Sequence, residues 1–199
     1  MDVIYYEKGS DMIGLYALGL FLLWLWLTWL LVRLCWRNYK QGNNKQNIVI
    51  GLVILAWLAA SFWYGGGRKV YYDWQVTQMC AKDGGIQVYE TVILPPEKFD
   101  KWGLVNFFRT SKGELALGPQ YMYKKKKEHI RRGSPELIMR QYKVFRRADR
   151  KLLGEITIYS RIGGDIPGPW HPSHYSCSDI NKADSNSLIK SIFISSKGD

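Results

Sequence analysis

The residues best suited to chemistry lie near the C-terminus, where His171, His174 and Cys177 fall within the run HPSHYSC. Imidazole and thiolate are donors that zinc prefers, and Cys80 as a fourth ligand would complete a tetrahedral set. The same cysteines support a different bond. Cys80 and Cys177 are an even pair in the chain beyond residue 65, and outside the cytoplasm such a pair oxidises to a disulfide. The disulfide is the preferred reading, because Pro172 and Ser173 place the histidines in a loop with no second ligand pair. Neither a metal nor a cofactor is expected. Two separate buried thiols are expected only if the domain faces the cytoplasm. Cys35 is expected to remain an inert thiol, since Arg33 stands where a lipoprotein cleavage site needs small residues.

No motif for nucleophilic, metal-assisted or phosphate chemistry is present: G-x-S-x-G, H-E-x-x-H and a Walker A loop are all missing from the sequence. Glu90, Glu97, Asp100 and Asp165 are scattered carboxylates, and nothing selects two of them as an acid–base pair. In a hydrolase acting on an envelope substrate, His171, His174 and the Asp165 loop would form the site. Glu90 alternates with Val88 and Val92, which puts it at a sheet edge or half-buried beside a cation. His129 stands inside a run of Lys and Arg and is expected to be solvated.

That run holds most of the net charge of +11. From Lys124 to Lys151 there are twelve cations against Glu128, Glu136 and Asp149, giving 12 − 3 = +9, while the rest of the chain beyond residue 66 is neutral. The cations are Lys124, Lys125, Lys126, Lys127, Arg131, Arg132, Arg140, Lys143, Arg146, Arg147, Arg150 and Lys151. Such a cluster attracts anionic lipid head groups or envelope polymers, each basic residue near a membrane contributing about 1 kcal/mol. Nucleic acid is the competing partner, with Tyr121, Tyr123, Tyr142 and Phe145 available for stacking. Their strand-like alternation marks these aromatics as core instead.

The elements that must carry these residues divide sharply. Ile13 to Val32 is an uncharged run of 20 residues, enough to cross a hydrocarbon core about 30 Å thick. Ile48 to Tyr64 adds 17 more, apolar on all sides and ending in the interfacial set Phe62, Trp63 and Tyr64. The expectation is a transmembrane hairpin over residues 1–64, spans about 13–32 and 48–64, in which Ala56 and Ala60 permit close helix contact. The lipid bilayer is one partner, and the hairpin offers a second surface to a protein partner. Asp2, Glu7 and Asp11 outweigh Lys8 before the first span, contrary to a signal peptide. Between the spans Arg33, Arg37, Lys40 and Lys45 stand without an acid, so the loop 33–47 is expected in the cytoplasm and both termini outside it.

Residues 65–199 are expected to form a second unit, a small α+β domain with an antiparallel sheet. Gly65-Gly66-Gly67 reads as a flexible joint, and Val70 to Ala81 as a helix with Val70, Trp74, Thr77 and Ala81 on one face, although its aromatic start also suits a strand. Ile86 to Leu94 reads as one strand, stopped by Pro95-Pro96 before a short helix that buries Phe99 and Trp102. Leu137 to Arg147 and Lys151 to Arg161 flank Ala148-Asp149-Arg150 and form a β-hairpin, closed off by Gly163-Gly164 and Pro167-Gly168-Pro169. Leu188 to Ile194 is an edge strand or a short helix.

The segment Cys80-Ala81-Lys82-Asp83-Gly84-Gly85-Ile86-Gln87-Val88-Tyr89-Glu90, with Lys151-Leu152-Leu153-Gly154-Glu155 and Gly168-Pro169-Trp170-His171-Pro172-Ser173, resembles small uncharacterised bacterial envelope proteins with an N-terminal membrane anchor. The resemblance spans most of residues 74–178. It implies a bacterial inner-membrane protein with a periplasmic domain, and it brings no activity or catalytic residue. A non-enzymatic role in binding or envelope assembly is the resulting expectation; an envelope-acting hydrolase and an inverted, cytoplasmic nucleic-acid-binding domain are the alternatives.

Overall fold

The computed structural model describes residues 3–39, 44–166 and 171–196. The Pro167-Gly168-Pro169 turn and Lys40 of the cationic loop lie outside the described residues. The chain divides into two compact units, Met1–Arg68 with Asp165–Pro172 and Lys69–Gly164 with Ser173–Asp199.

The first unit is helical, with α1 over Val3–Tyr39 and α2 over Asn44–Phe62. Gly14–Arg37 and the helical stretch starting at Lys45 are both long and apolar enough to cross a membrane, reaching mean hydropathies of 2.1 and 2.0. The side chains that α2 withdraws from solvent are Asn47, Ile50, Ile54, Trp57 and Ser61, spaced alternately three and four apart. That spacing makes a single seam, as in a coiled coil. Polar groups stitch it: Trp24 Nε1 donates to Ser61 Oγ at 3.1 Å and Trp57 Nε1 to Thr28 Oγ1 at 3.2 Å. Ala56 and Ala60, which permit close helix contact or face outward as ordinary packing, are exposed and fall outside this seam. The glycine triplet is a π-helical turn, Trp63–Gly67, in which Gly66 takes φ 155°, a conformation that residues with a Cβ rarely adopt.

The second unit begins with α3, Arg68–Asp83. Its buried side carries Val76 and Cys80, with Tyr72, Asp73 and Met79 half-buried around them, while Val70 and Trp74 are 70% and 57% exposed. The segment is a helix, and of the face formed by Val70, Trp74, Thr77 and Ala81 only Thr77 is half-buried, because the disulfide at Cys80 turns the neighbouring side of α3 inward. After α3 come β1 (Gly85–Val88), β2 (Val92–Leu94), and three strands of 11 residues, β3 (Tyr121–Arg131), β4 (Glu136–Arg146) and β5 (Leu152–Ile162). Then follow β6 (His174–Ser176), α4 (Cys177–Asn181), α5 (Ser185–Ile192) and β7 (Phe193–Ser195). The main sheet is antiparallel in the order β1-β5-β4-β3, with β6 pairing the end of β5. β2 and β7 form a separate parallel pair, so the single strand expected over 86–94 is two strands in different sheets. The run Leu188–Ile194 is likewise helix and then strand.

Register fixes the core. Tyr123, Val144 and Gly154 lie abreast, as do Tyr142, Ile156 and Ile86 in the next row of the same face. Val144, Ile156 and the α5 residues Leu188, Ile189 and Ile192 are fully buried. α5 starts cleanly because Asp184 caps it, accepting from Ser187 N at 2.7 Å. Phe99 is half-buried, whereas Trp102 is 68% exposed and lies outside the core it was expected to join.

Candidate functional site

Cys80, at the end of α3, and Cys177, at the start of α4, form a disulfide with Cα atoms 5.5 Å apart. Bonded sulfurs are not thiolate ligands, so the zinc alternative built on His171, His174 and Cys177 is corrected. Among the described residues no cluster of three or more His, Cys, Asp or Glu is suited to a metal ion. His171 and His174 are both exposed, and His174 Nδ1 lies 4.0 Å from Asp179 Oδ2. His129 is not simply solvated: its Nδ1 meets Glu136 Oε1 at 2.5 Å across the β3–β4 hairpin.

The basic segment spreads over β3, β4 and the turn into β5, and register sorts it by face. Lys125 and Lys127 share one side of the sheet with Arg140, while Lys124 and Lys126 share the other with Lys143. β3 is the last strand of the sheet, and from Lys124 to Ile130 every residue is exposed. Four of the twelve cations are paired with acids. Lys126 meets Glu128 at 2.9 Å, Lys143 meets Glu155 at 2.8 Å, Lys151 meets Glu90 at 2.7 Å, and Arg146 bridges Glu90 and Asp149. Arg131 lies over the Tyr72 ring at 4.4 Å and Arg147 donates through Nε to the Tyr121 carbonyl. Lys124, Lys125, Lys127, Arg132, Arg140 and Arg150 have no acidic partner among the described residues; Lys124 and Lys125 contact the Phe145 and Tyr123 rings.

Glu90, with a side chain 27% exposed, lies between β1 and β2, and of its two expected settings the structure shows the one beside cations. Hydrogen bonds from Lys151 first and Arg146 second hold its carboxyl below the ordinary carboxylate value. Glu155 is lowered in the same direction, chiefly by Lys143. Of the aromatics read as available for stacking, Tyr121 and Tyr123 are buried and Tyr142 and Phe145 half-buried, and burial pushes the Tyr123 phenol up to about 12.

Sequence reasoning missed Arg161. Its side chain is 1% exposed, its Nε meets Asp73 Oδ1 of α3 at 2.5 Å, and its Nη1 donates to the carbonyl of Gly163 and to Ser173 Oγ. On the page it is one more cation at the end of a strand; only the register with α3 shows it to be an anchor. No protein family, curated protein or solved structure matches this chain.

Proposed function

We propose that this is a two-span membrane protein of a bacterial envelope, whose disulfide-tied domain faces the outside of the cytoplasmic membrane and binds an anionic surface through the exposed half of β3. The two apolar helices supply the anchor, and the four cations of the loop 33–47 argue for keeping that loop inside. The Cys80–Cys177 bond favours an oxidising compartment. The observation that carries the binding role is the concentration of cations without acidic partners on the exposed edge strand, Lys124, Lys125 and Lys127, with the half-buried Arg140 abreast of Lys127 on β4. Lysine on an edge strand also keeps other strands from pairing with it. That purpose needs no run of four lysines with an arginine abreast of them on the next strand. Anionic head groups or envelope polymers fit this geometry better than nucleic acid, since Tyr121 and Tyr123 are buried and Tyr142 is half-buried.

Treating intact cells with a membrane-impermeant maleimide, with and without reductant, tests the location. Labelling of Cys80 and Cys177 only after reduction supports it. Labelling that requires lysis overturns it.

A further inference from the structure

β3 ends the main sheet on one side, and its run from Lys124 to Ile130 is exposed at every residue. In an antiparallel ladder the N–H and C=O groups of alternate residues point away from the paired strand. Among the described residues no main-chain hydrogen bond reaches this run of β3 except from β4. The ladder with β4 is regular from Lys124 to His129 and is interrupted only between His129 and Arg131. The opposite edge of the sheet is β1, which is four residues long. Short strands and bulges are common protections of a sheet edge, and the stretch from Lys124 to His129 has neither. Its protection is charge.

That charge stands on both sides of the sheet. Lys124 and Lys126 share one side and Lys125 and Lys127 the other, with Arg140 abreast of Lys127. Along either side the spacing is two residues, roughly 6.8 Å. An anionic surface laid on one side of the sheet meets half of these lysines. A strand added beside β3 lies in the plane of the sheet and carries side chains on both sides with the same period. A run of acids in it meets all four lysines, at the separation of about 5 Å between directly opposed Cβ atoms. A second copy of β3 would instead set lysine against lysine, which is destabilising. The charges that exclude the chain's own edge therefore admit an acidic one. Glu128 bounds the acidic stretch, since it already holds Lys126 at 2.9 Å and would repel an acid opposite itself. We infer that the exposed half of β3 takes up an extended segment of a partner protein, with about four acids in succession, which pairs with it as an added strand. The inference rests on the anionic-binding reading of β3 and narrows the partner to a polypeptide, because neither a head group nor a polysaccharide offers a peptide ladder to the free main-chain groups.

The test uses the detergent-solubilised full chain and a short peptide with a central run of four glutamates between valine and threonine residues. Its controls are the same peptide N-methylated at every glutamate amide, which has equal charge and cannot pair as a strand, and dextran sulfate. The unmethylated peptide is expected to bind, and N-methylation to weaken it at least about tenfold, as loss of several hydrogen bonds does. Amide hydrogen exchange should slow at alternate residues between Lys124 and His129 with the peptide and not with dextran sulfate. Lys124→Gln and Lys127→Gln, on opposite sides of the sheet, should each weaken the peptide about two- to fivefold. An effect from only one of these variants means one-sided contact and overturns the inference. So does dextran sulfate binding without capture of the peptide, equal affinity for the methylated peptide, or unchanged exchange in β3, and each of these leaves the anionic-surface reading standing. Binding of neither probe overturns both.

Discussion

At the scale of single residues, part of the charge in this domain is arranged in local pairs, and Glu90 stands in a chain of them. It receives Lys151 and Arg146, and Arg146 in turn holds Asp149 in the turn before β5. The folded carboxyl is lowered from its ordinary value of 4.5, so the folded state binds the proton less readily than the unfolded chain. The stabilisation is therefore fully present above about pH 4.5 and is lost as the pH falls through the depressed folded value. Glu90→Gln should lower the midpoint of urea unfolding at neutral pH. The gap from the parent protein should close on acidification through that window; a gap independent of pH would mean that Glu90 acts by packing alone. Alternation beside Val88 left two settings open for Glu90, a sheet edge or a half-buried place beside a cation, and did not choose between them. The break in the strand that places Glu90 between two sheets was not legible, because IQVYETVIL is β-favouring throughout and its division depends on where β5 and β7 lie.

At the scale of elements, what could be read was whatever a short period encodes. The β4–β5 hairpin showed in its alternation and its polar turn, and the two apolar helices in their length. The seam between those helices was also encoded, as Thr28 in α1 and Asn47 and Ser61 in α2, but uniform hydrophobicity on every side hid it. The register of α3 was not recoverable, since Asp73 pairs with Arg161 88 positions away. Asp73→Ala would leave a guanidinium that is 99% withdrawn from solvent without its counter-charge, a loss of about 3 kcal/mol at the low end of the range for buried pairs. Equilibrium unfolding measures it; a loss below half that value would mean that Gly163 and Ser173 suffice to hold Arg161. α5 depends on a different detail. A Cβ at Gly154 would come within 3.0 Å of both the Gln87 carbonyl and Ile192 Cδ1, so neither β1 nor α5 can approach as closely. Gly154→Ala should cost about 1–3 kcal/mol, the range for overpacking, and should speed hydrogen exchange in α5. Unchanged protection in α5 would show that the helix tolerates the displacement.

At the scale of the whole molecule, net charge describes the chain poorly and its local distribution describes it well. The +9 of the basic segment splits into cations already neutralised by Glu90, Glu128, Glu155 and Asp149 and a remainder concentrated on and beside β3. Screening at physiological salt confines exposed charges to about 8 Å, so acids elsewhere on the domain do not cancel that remainder. Two surfaces of equal formal charge should therefore bind an anionic polymer unequally. With dextran sulfate as the probe, replacing Lys125, Lys127 and Arg140 together by Gln should weaken binding by the full detergent-solubilised chain. The slope of log affinity against log salt should fall by up to about one for each cation removed. Replacing Lys143, Lys126 and Lys151 by Gln removes the same formal charge from positions that already have acidic partners, and should change both quantities less. Equal effects from the two triple variants would show that the polymer senses total charge, and the assignment of a binding edge to β3 would then fail even with the two apolar helices and the disulfide intact.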